Sequence, residues 1–285
     1  MTTKQHQGPT PSEAPKSTLP AVYDYADDAG AGFDGANESD FIIPMLDILQ
    51  QKSPEVEKET LDGAKAGSLI IRALGLVLPG RDEGVPFVPV GRQHKFVEWI
   101  PREQQGGIVA QHEPDDAIVR EARARQAFGR LKLPNGNDLV ETFYLFGLVA
   151  ADEQTLRVCA PFTSTKIGLY RGMMTKAQGV LVKQANGQRV NPPLFAHRFR
   201  LKTVFTEKKG NTWWNYANIG FDGATAEHAR LNPSGPLYQD ARDFYQQLKR
   251  GEVKADTRTA MRGDDEVPSG SAAEAMSGAD DEVPF

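Results

Sequence analysis

The chain is poor in cysteine: Cys159 is the single one among 285 residues. One cysteine excludes an internal disulfide, and its position in an apolar, strand-like run predicts a buried thiol in a reducing compartment. Long hydrophobic runs are missing too. No segment approaches the ~18 consecutive apolar residues that predict a membrane-spanning helix, so we expect no membrane partner. Residues 1–6 lead into polar, Pro-rich sequence without the apolar core of a signal peptide, which predicts a cytoplasmic protein.

Motifs of phosphate-binding and metal enzymes are also missing. The sequence has no Gly-x-x-x-x-Gly-Lys-Ser/Thr loop, and its five histidines show no metal-ligand spacing. One acidic group resembles a Mg²⁺ site in composition: Glu113, Asp115 and Asp116 flank Pro114. A polar loop of this kind is more typical of turn and helix-cap residues. We therefore expect no enzymatic activity, no cofactor and no metal site.

Charge is distributed unevenly along the sequence. The net charge is −5, but residues 1–40 carry two lysines against seven acidic residues, a net −5. Residues 263–285 carry seven acidic residues and no Lys or Arg, so residues 41–262 have a net charge of +7. A basic body between acidic ends favours a polyanionic partner.

Composition predicts three segments. Residues 1–40 and 251–285 contain few large aliphatic residues and are rich in small and acidic ones, which is typical of disordered segments. Residues 41–250 contain apolar runs of strand character, with helix-like stretches between them. The sequence therefore predicts a mainly β domain with inserted helices, flanked by a disordered acidic leader and a disordered acidic tail.

Residues 194–221 predict a β-hairpin with one basic and aromatic face. Two strand-like runs flank a turn at residues 207–211. If Thr206 pairs with Thr212, the large aliphatic residues and Phe205 gather on one face. The opposite face then carries three cations, an indole and a phenol: Arg198, Arg200, Lys202, Trp214 and Tyr216.

Such a face suits single-stranded nucleic acid. Bases stack on aromatic rings, for roughly 1–3 kcal/mol each, while Arg and Lys follow the phosphates, and stacking tolerates any base. The same side chains can instead pack across a solvated sheet face. Four further cations could extend the track: Lys166 and Arg171 on a predicted helix over residues 164–178, and Lys208 and Lys209 in the turn. A second basic patch could form around Arg92, His94 and Lys95.

The last six residues have the composition of a docking peptide. They combine an acidic run with a proline and a terminal aromatic residue: Asp280, Asp281, Glu282, Val283, Pro284 and Phe285. A ring of this kind fits a pocket, and the carboxylates suit Arg or Lys at its rim. A near copy at residues 264–268 lacks the aromatic residue, so we interpret it as added charge or a remnant of duplication.

This tail resembles the C-terminal tip of bacterial single-stranded DNA-binding proteins. With its acidic leader and long strand-rich body, the whole chain is more similar to the single-stranded DNA-binding proteins of bacteriophages. The resemblance implies an OB-like β-barrel within residues 41–250. It also implies sequence-independent coating of single-stranded DNA in replication, recombination and repair, in a bacterial cytoplasm or an infected bacterial host. Residues 280–285 would recruit a helicase, primase, polymerase or nuclease, and the resemblance leaves homo-oligomerisation open.

Three alternatives stay open on the sequence. A strand-annealing recombination protein would use the same surface to speed pairing of complementary strands. A metal-dependent nuclease would use the acidic group at residues 113–116. A protein-only adaptor would dock through Phe285 without binding DNA.

Overall fold

The computed structural model describes residues 31–32, 42–101, 104, 106–126, 131–151, 154–208, 210–253 and 255. The chain divides into two units, Met1–Asn37 and Glu38–Phe285. Of the first unit only residues 31 and 32 are described, and all the described strands and helices belong to the second. The predicted acidic leader and tail lie almost wholly outside the described residues, and their disorder stays a prediction.

The described residues form fourteen strands and four α-helices. The strands are β1 (Asp47–Ile48), β2 (Leu69–Ile71), β3 (Leu76–Leu78), β4 (Val85–Trp99), β5 (Ile108–His112), β6 (Leu131–Lys132), β7 (Asp138–Ala151), β8 (Gln154–Thr163), β9 (Val182–Lys183), β10 (Arg189–Val190), β11 (Phe199–Leu201), β12 (Thr203–Lys208), β13 (Asn211–Tyr216) and β14 (Gly220–Phe221). The helices are α1 (Pro54–Glu57), α2 (Ala117–Arg125), α3 (Lys166–Gln178) and α4 (Pro236–Arg250).

A seven-stranded antiparallel sheet lies at the centre of this unit. The long strands β4 and β7 pair with each other from Phe87 and Val149 to Trp99 and Asp138. β11 and β5 pair with successive parts of β4, β8 and β6 pair with β7, and β14 pairs with β11. The prediction of a mainly β body with inserted helices is confirmed. The pairings among the described residues form an open series, so closure into an OB-like barrel stays a prediction.

β7 is apolar along most of its length because both faces of the sheet are covered. Alternate residues of a strand point to opposite faces. Phe143 and Leu145 accordingly pack on one side, in a cluster that includes buried residues of α3. Tyr144 and Phe146 pack on the other side with Phe244 of α4. A strand buried on both faces has a continuous apolar sequence, as this one does.

α2 and α3 lie over the same face of the sheet. Phe96 and Leu139 pack with buried residues of α2, and Phe143 packs in the cluster that contains α3. Leu139 and Phe143 are four residues apart on β7, so their side chains share a face with Glu141 between them. Glu141 thus occupies the position on β7 between the two helix contacts.

α4 begins and ends at residues suited to helix termini. Pro236 occupies the first turn, where no backbone donor is lost, and Gly251 follows the helix with a left-handed φ of 73°.

No helix in the described part of the chain is long and apolar enough to span a membrane.

β12 and β13 form a separate two-stranded hairpin, and its register differs from the predicted one. Lys208 pairs with Asn211, and Thr206 pairs with Trp213, not with Thr212. The predicted five-residue turn is therefore wrong. Gly210 has a φ of 77°, the left-handed conformation that a two-residue hairpin turn needs and that glycine adopts without steric cost.

Candidate nucleic-acid interface

Three of the predicted DNA-binding cations share one side of a strand, as the alternation of the sequence predicts. Phe199 and Leu201 of β11 are fully buried. Arg198, Arg200 and Lys202 alternate with them and are partly exposed, so their side chains leave the opposite face.

These cations are held by neighbouring oxygen atoms. Arg200 Nε donates to Asp222 Oδ1 at 2.6 Å, and Arg198 Nε lies 3.6 Å from Asp222 Oδ2. Lys202 Nζ donates to the backbone carbonyl of Asp82 at 2.7 Å. The Asp222 carboxylate offsets one of the three positive charges, so a reduced basic patch is left for a polyanion.

The predicted aromatic partners of these cations lie elsewhere. Tyr216 is only 2% exposed, and its ring stacks on Phe162 with centroids 5.2 Å apart. Tyr216 is therefore a core residue, and the prediction that it contacts DNA is wrong. Trp214 pairs with Phe205, whereas the predicted register placed it opposite Val204. The two-residue turn shifts the ladder by one residue, which regroups the side chains on both faces.

The hairpin exposes an aromatic residue that the predicted register placed among the core aliphatics. Phe205 is 53% exposed, and its ring meets Trp214 edge-on with centroids 5.6 Å apart. The guanidinium of Arg81 lies 4.7 Å from the centroid of the Trp214 ring. We call these three residues, Phe205, Trp214 and Arg81, the hairpin aromatic cluster.

Trp214 is held firmly by residues far away in sequence. The Gln50 side-chain amide bonds both the backbone N–H and the backbone carbonyl of Trp214, at 2.8 and 2.9 Å. Gly67 lies against the indole: a Cβ at this position would be 2.5 Å from Trp214 Cε3. Gln50 is 164 residues from Trp214, so periodicity within the hairpin gives no signal for these contacts. The two-residue turn, in contrast, could have been predicted from the sequence, because the glycine at position 210 is typical of such turns.

The remaining predicted cations are scattered over the surface. Lys208 is exposed at the end of β12, and Lys166 is half-buried at the start of α3. Arg171, also on α3, is exposed, and its guanidinium lies 5.8 Å from the centroid of the Phe143 ring. Lys209 and the tip residues 280–285 lie outside the described residues. Continuity between these cations and those beside β11 therefore stays a prediction.

The acidic group around Pro114 forms a turn that leads into α2, and Asp116 makes no side-chain capping bond to the helix. Asp116 directly precedes α2, and its Oδ2 accepts a hydrogen bond from the backbone N–H of Glu113 at 2.7 Å. The Glu113 carboxylate in turn pairs with Lys95. Within the described ranges, no three His, Cys, Asp or Glu side chains are placed to hold a metal ion.

Cys159 is fully buried in the sheet, as predicted. Burial raises the pKa of its thiol well above the ordinary value, and the nearby Asp47 carboxylate adds to this effect. A thiol that stays protonated in an apolar site is unreactive. Cys159 is therefore a packing residue.

Taken together, the fold and its surfaces define a mainly β protein with an exposed aromatic hairpin and dispersed basic patches. The chain belongs to the Pam3 phage gp34-like protein family, because a model of that family matches residues 12–254. Searches of curated proteins and of solved structures gave no match. The bacteriophage part of the resemblance is thus confirmed, while the description of the family names no activity and no ligand.

Proposed function

We propose that this phage protein binds single-stranded DNA without sequence preference, and that it coats and protects exposed strands in replication, recombination and repair. The observation that carries the proposal is the hairpin aromatic cluster. Phe205 offers a ring that is more than half exposed, next to an indole that is held in place. A base can stack on such a ring, and a neighbouring guanidinium adds a cation to the same surface.

Cations lie at both ends of β12, which places positive charge near the hairpin for phosphate contacts. Lys202 directly precedes the strand and Lys208 ends it. With a rise of about 3.3 Å per residue, these positions are roughly 20 Å apart. Arg198 lies directly before β11 and Arg200 lies on it, and Asp222 reduces their net charge. Stacking and phosphate contacts do not distinguish bases, which is consistent with binding of any sequence.

The proposal extends to the acidic tip as a site of partner recruitment. Residues 280–285 would dock on a helicase, primase, polymerase or nuclease, with the Phe285 ring in a pocket and the carboxylates on basic residues. The support for this role is the sequence of the tip, which combines an acidic run with Pro284 and Phe285.

The test is a tryptophan-fluorescence titration with poly-dT and with duplex DNA over several salt concentrations. We expect tight binding to poly-dT that weakens as salt rises, because released counterions make phosphate contacts salt-dependent. Duplex DNA should bind more weakly. A protein that binds no poly-dT at low salt would not have the proposed function.

Phe205→Ala tests the hairpin aromatic cluster directly. Loss of one stacked base at roughly 1–3 kcal/mol should weaken poly-dT binding about 5- to 150-fold. Folding stability should change little because the side chain is largely exposed. Tyr245→Ala is the matched control, since Tyr245 is also an exposed aromatic residue but lies on α4. Equal affinities for Phe205→Ala and Tyr245→Ala would remove the hairpin as the stacking site.

The rate of pairing of complementary oligonucleotides separates coating from annealing. A coating protein slows duplex formation at saturating concentration. Faster pairing than in protein-free solution would instead show a strand-annealing protein.

A further inference from the structure

We propose that the sheet face between α2 and α3 is a binding site for one phosphate group, formed by Arg123 and Arg171 beside Glu141, with Arg92 on the same face. We call these four residues the inter-helix arginine cluster. It contains no residue of the hairpin aromatic cluster, so it can exist whether or not the hairpin binds DNA.

The fold brings these residues together from four separate elements. Arg92 lies on β4 two residues before His94, which pairs with Phe143 of β7. Glu141 lies two residues before Phe143, so its side chain leaves the sheet on the same face. α2 and α3 both cover this face, and each contributes one arginine at its edge: Arg123 and Arg171.

One carboxylate oxygen is shared by several positive or donor groups. His94 Nε2 and Glu141 Oε1 are 2.9 Å apart, a hydrogen bond. Arg123 Nη2 lies 3.7 Å from the same oxygen, and Arg171 Nη2 lies 4.0 Å from it. Both arginine distances are longer than a hydrogen bond. The two guanidinium groups are thus attracted to Glu141 while their N–H donors stay free of this oxygen.

Aromatic rings position both guanidinium groups. Arg123 lies over Phe96, 4.6 Å from the ring centroid, and Arg171 lies 5.8 Å from the centroid of Phe143. Phe143 also stacks with His94 and with Tyr170, at centroid distances of 4.1 and 4.7 Å. A cation over an aromatic face is held by the ring and keeps its in-plane donors directed away from it.

Arg92 is the third cation, and alternation along β4 places it on the same sheet face as His94, which lies opposite Phe143. Burial raises the pKa of the Tyr170 hydroxyl, while the charge and hydrogen bond of Arg92, and the charge of Arg171, act in the opposite direction. Arg92 is exposed. Its positive charge is therefore accessible to an anion in solvent.

The local charge suits a phosphate group. Two guanidinium groups lie near one carboxylate, and Arg92 adds a third positive charge on the same sheet face. The side chains of Arg123 and Arg171 are 48% and 58% exposed, so an anion can reach them from solvent. Guanidinium forks match the paired oxygens of phosphate. Glu141 repels an anion at the same place, so its charge should limit the affinity.

Two sources could supply the phosphate: the phosphodiester backbone of a DNA strand, or a terminal or free phosphate. The experiment measures binding of inorganic phosphate by calorimetry, and of oligo-dT with a 5′-hydroxyl or a 5′-phosphate by anisotropy. It uses the full-length chain, with the Arg123→Ala/Arg171→Ala double variant and Glu141→Gln. Arg125→Ala is the matched control, because Arg125 is on α2 but pairs with Glu121 at 3.3 Å.

We expect the double variant to lose at least about ten-fold in affinity for the phosphate ligand, since each arginine supplies charged hydrogen bonds. Glu141→Gln should bind more tightly than the natural chain, and Arg125→Ala should bind equally well. Thermal unfolding verifies that each variant is folded. Arg171→Lys keeps the positive charge but loses the forked guanidinium. Its affinity for phosphate should be between those of the natural chain and the double variant.

The pattern of loss identifies the source. Cluster-dependent preference for the 5′-phosphate over the 5′-hydroxyl oligonucleotide, together with binding of inorganic phosphate, assigns the site to a terminal phosphate. If the double variant loses affinity equally for both oligonucleotides, the site binds the phosphodiester backbone. If the folded double variant binds every ligand as the natural chain does, the inference is overturned. Phe205→Ala separates this result from the proposed function, because it should weaken poly-dT binding and leave inorganic phosphate binding unchanged.

Discussion

At the scale of single residues, Trp214 shows how a surface ring is held in one position. Gln50 bonds its backbone on both sides, Gly67 leaves room for its indole, and Arg81 lies over the ring. A side chain that is already ordered loses little conformational freedom when a ligand stacks next to it. This preorganisation is the physical reason to place a stacking surface at the hairpin.

Gly67→Ala should destabilise the fold by about 2–4 kcal/mol, the combined cost of overpacking and of a left-handed non-glycine residue. The added Cβ would lie 2.5 Å from Trp214 Cε3, and the φ of Gly67 is 89°. Urea unfolding followed by tryptophan fluorescence measures the change.

Gly63→Ala is the control for the backbone part of this effect. Gly63 has a φ of 72° but nothing within 4 Å of an added Cβ, so this variant should cost only the conformational part, about 1–2 kcal/mol. Equal destabilisation by the two substitutions would show that contact with Trp214 is unimportant.

Glu98 is a buried carboxylate whose ionised form is stabilised by hydrogen bonds. It is 5% exposed. Burial by itself would raise its pKa, but hydrogen bonds from Asn137, Asn135 and His112, with the nearby His112 charge, outweigh burial and lower the pKa. Asn137 Nδ2 donates to Glu98 Oε1 at 2.6 Å and Asn135 Nδ2 donates to the same oxygen at 3.0 Å. The carboxylate therefore anchors the turn before β7.

Stability should fall in acid as Glu98 is protonated. Because its pKa is lower in the folded state, the stabilisation is complete above the unfolded pKa of about 4.3 and is lost as the pH falls through the folded value. Glu98→Gln should be less stable than the natural chain at pH 7, with a difference that shrinks below about pH 4. Urea unfolding at several pH values measures this, and a difference independent of pH would contradict it.

At the scale of elements, the hairpin shows how turn length decides which residues meet. Two adjacent strands can be paired in registers that differ by one residue, and each register groups the side chains differently. Here Gly210 closes a two-residue turn, so Phe205 faces Trp214, and Tyr216, two residues further along β13, enters the core. The apolar pattern alone favoured a register with Phe205 among the core aliphatics, and that preference was wrong.

α4 is attached to the sheet by one arginine of β8. Arg157 Nη1 donates to Gln247 at 2.6 Å, and Nη2 donates to Asp240 at 2.8 Å. The same guanidinium lies 5.0 Å from the centroid of the buried Phe244 ring. Polar and aromatic contacts thus converge on a single side chain between helix and sheet.

Arg157→Ala should lower the free energy of unfolding by about 1–2 kcal/mol, because two hydrogen bonds and a cation–π contact are lost from a partly exposed site. Arg242→Ala is the control on the exposed side of α4, where the guanidinium lies 3.9 Å from Asp243. It should change stability by less than about 0.5 kcal/mol. Chemical denaturation measures the free energy of unfolding of both variants. An equal decrease in the two variants would refute the anchoring role of Arg157.

At the scale of the whole molecule, the distribution of charge suggests self-competition. Residues 263–285 have a net charge of −7 and residues 41–262 a net charge of +7. A tethered acidic segment is present at high effective concentration near the body, and its attraction to basic groups is screened by salt. DNA would then have to displace the tail, which would free the tip for partners.

Deletion of residues 263–285 should tighten poly-dT binding on the order of 3- to 10-fold at low salt, with an effect that disappears as screening increases. Anisotropy titrations of the full-length and truncated chains across a salt series measure this. A truncation that leaves the affinity unchanged at every salt concentration would exclude competition by the tail.

The sequence alone was sufficient for those features that depend on local pattern and composition. The nearly continuous apolar run at residues 139–150 is typical of a strand, and β7 lies there. The alternation of Phe199 and Leu201 with three cations predicts the two sides of β11. The amphipathic pattern over about residues 237–249 is typical of a helix, and the structure has α4 there, at Pro236–Arg250. Each of these features depends on residues close together in the chain.

Contacts between distant segments required the folded structure. The four elements that supply Arg92, Arg123, Glu141 and Arg171 are separated along the chain and meet only because α2 and α3 cover one face of the sheet. Likewise, no local pattern connects Gln50, Gly67 and Arg81 with Trp214. The sequence determined that this is a mainly β protein with a basic body and an acidic, aromatic-ended tail. Which aromatic rings are exposed and which cations converge depended on strand register and helix packing, because these set the positions of side chains that the linear sequence keeps apart.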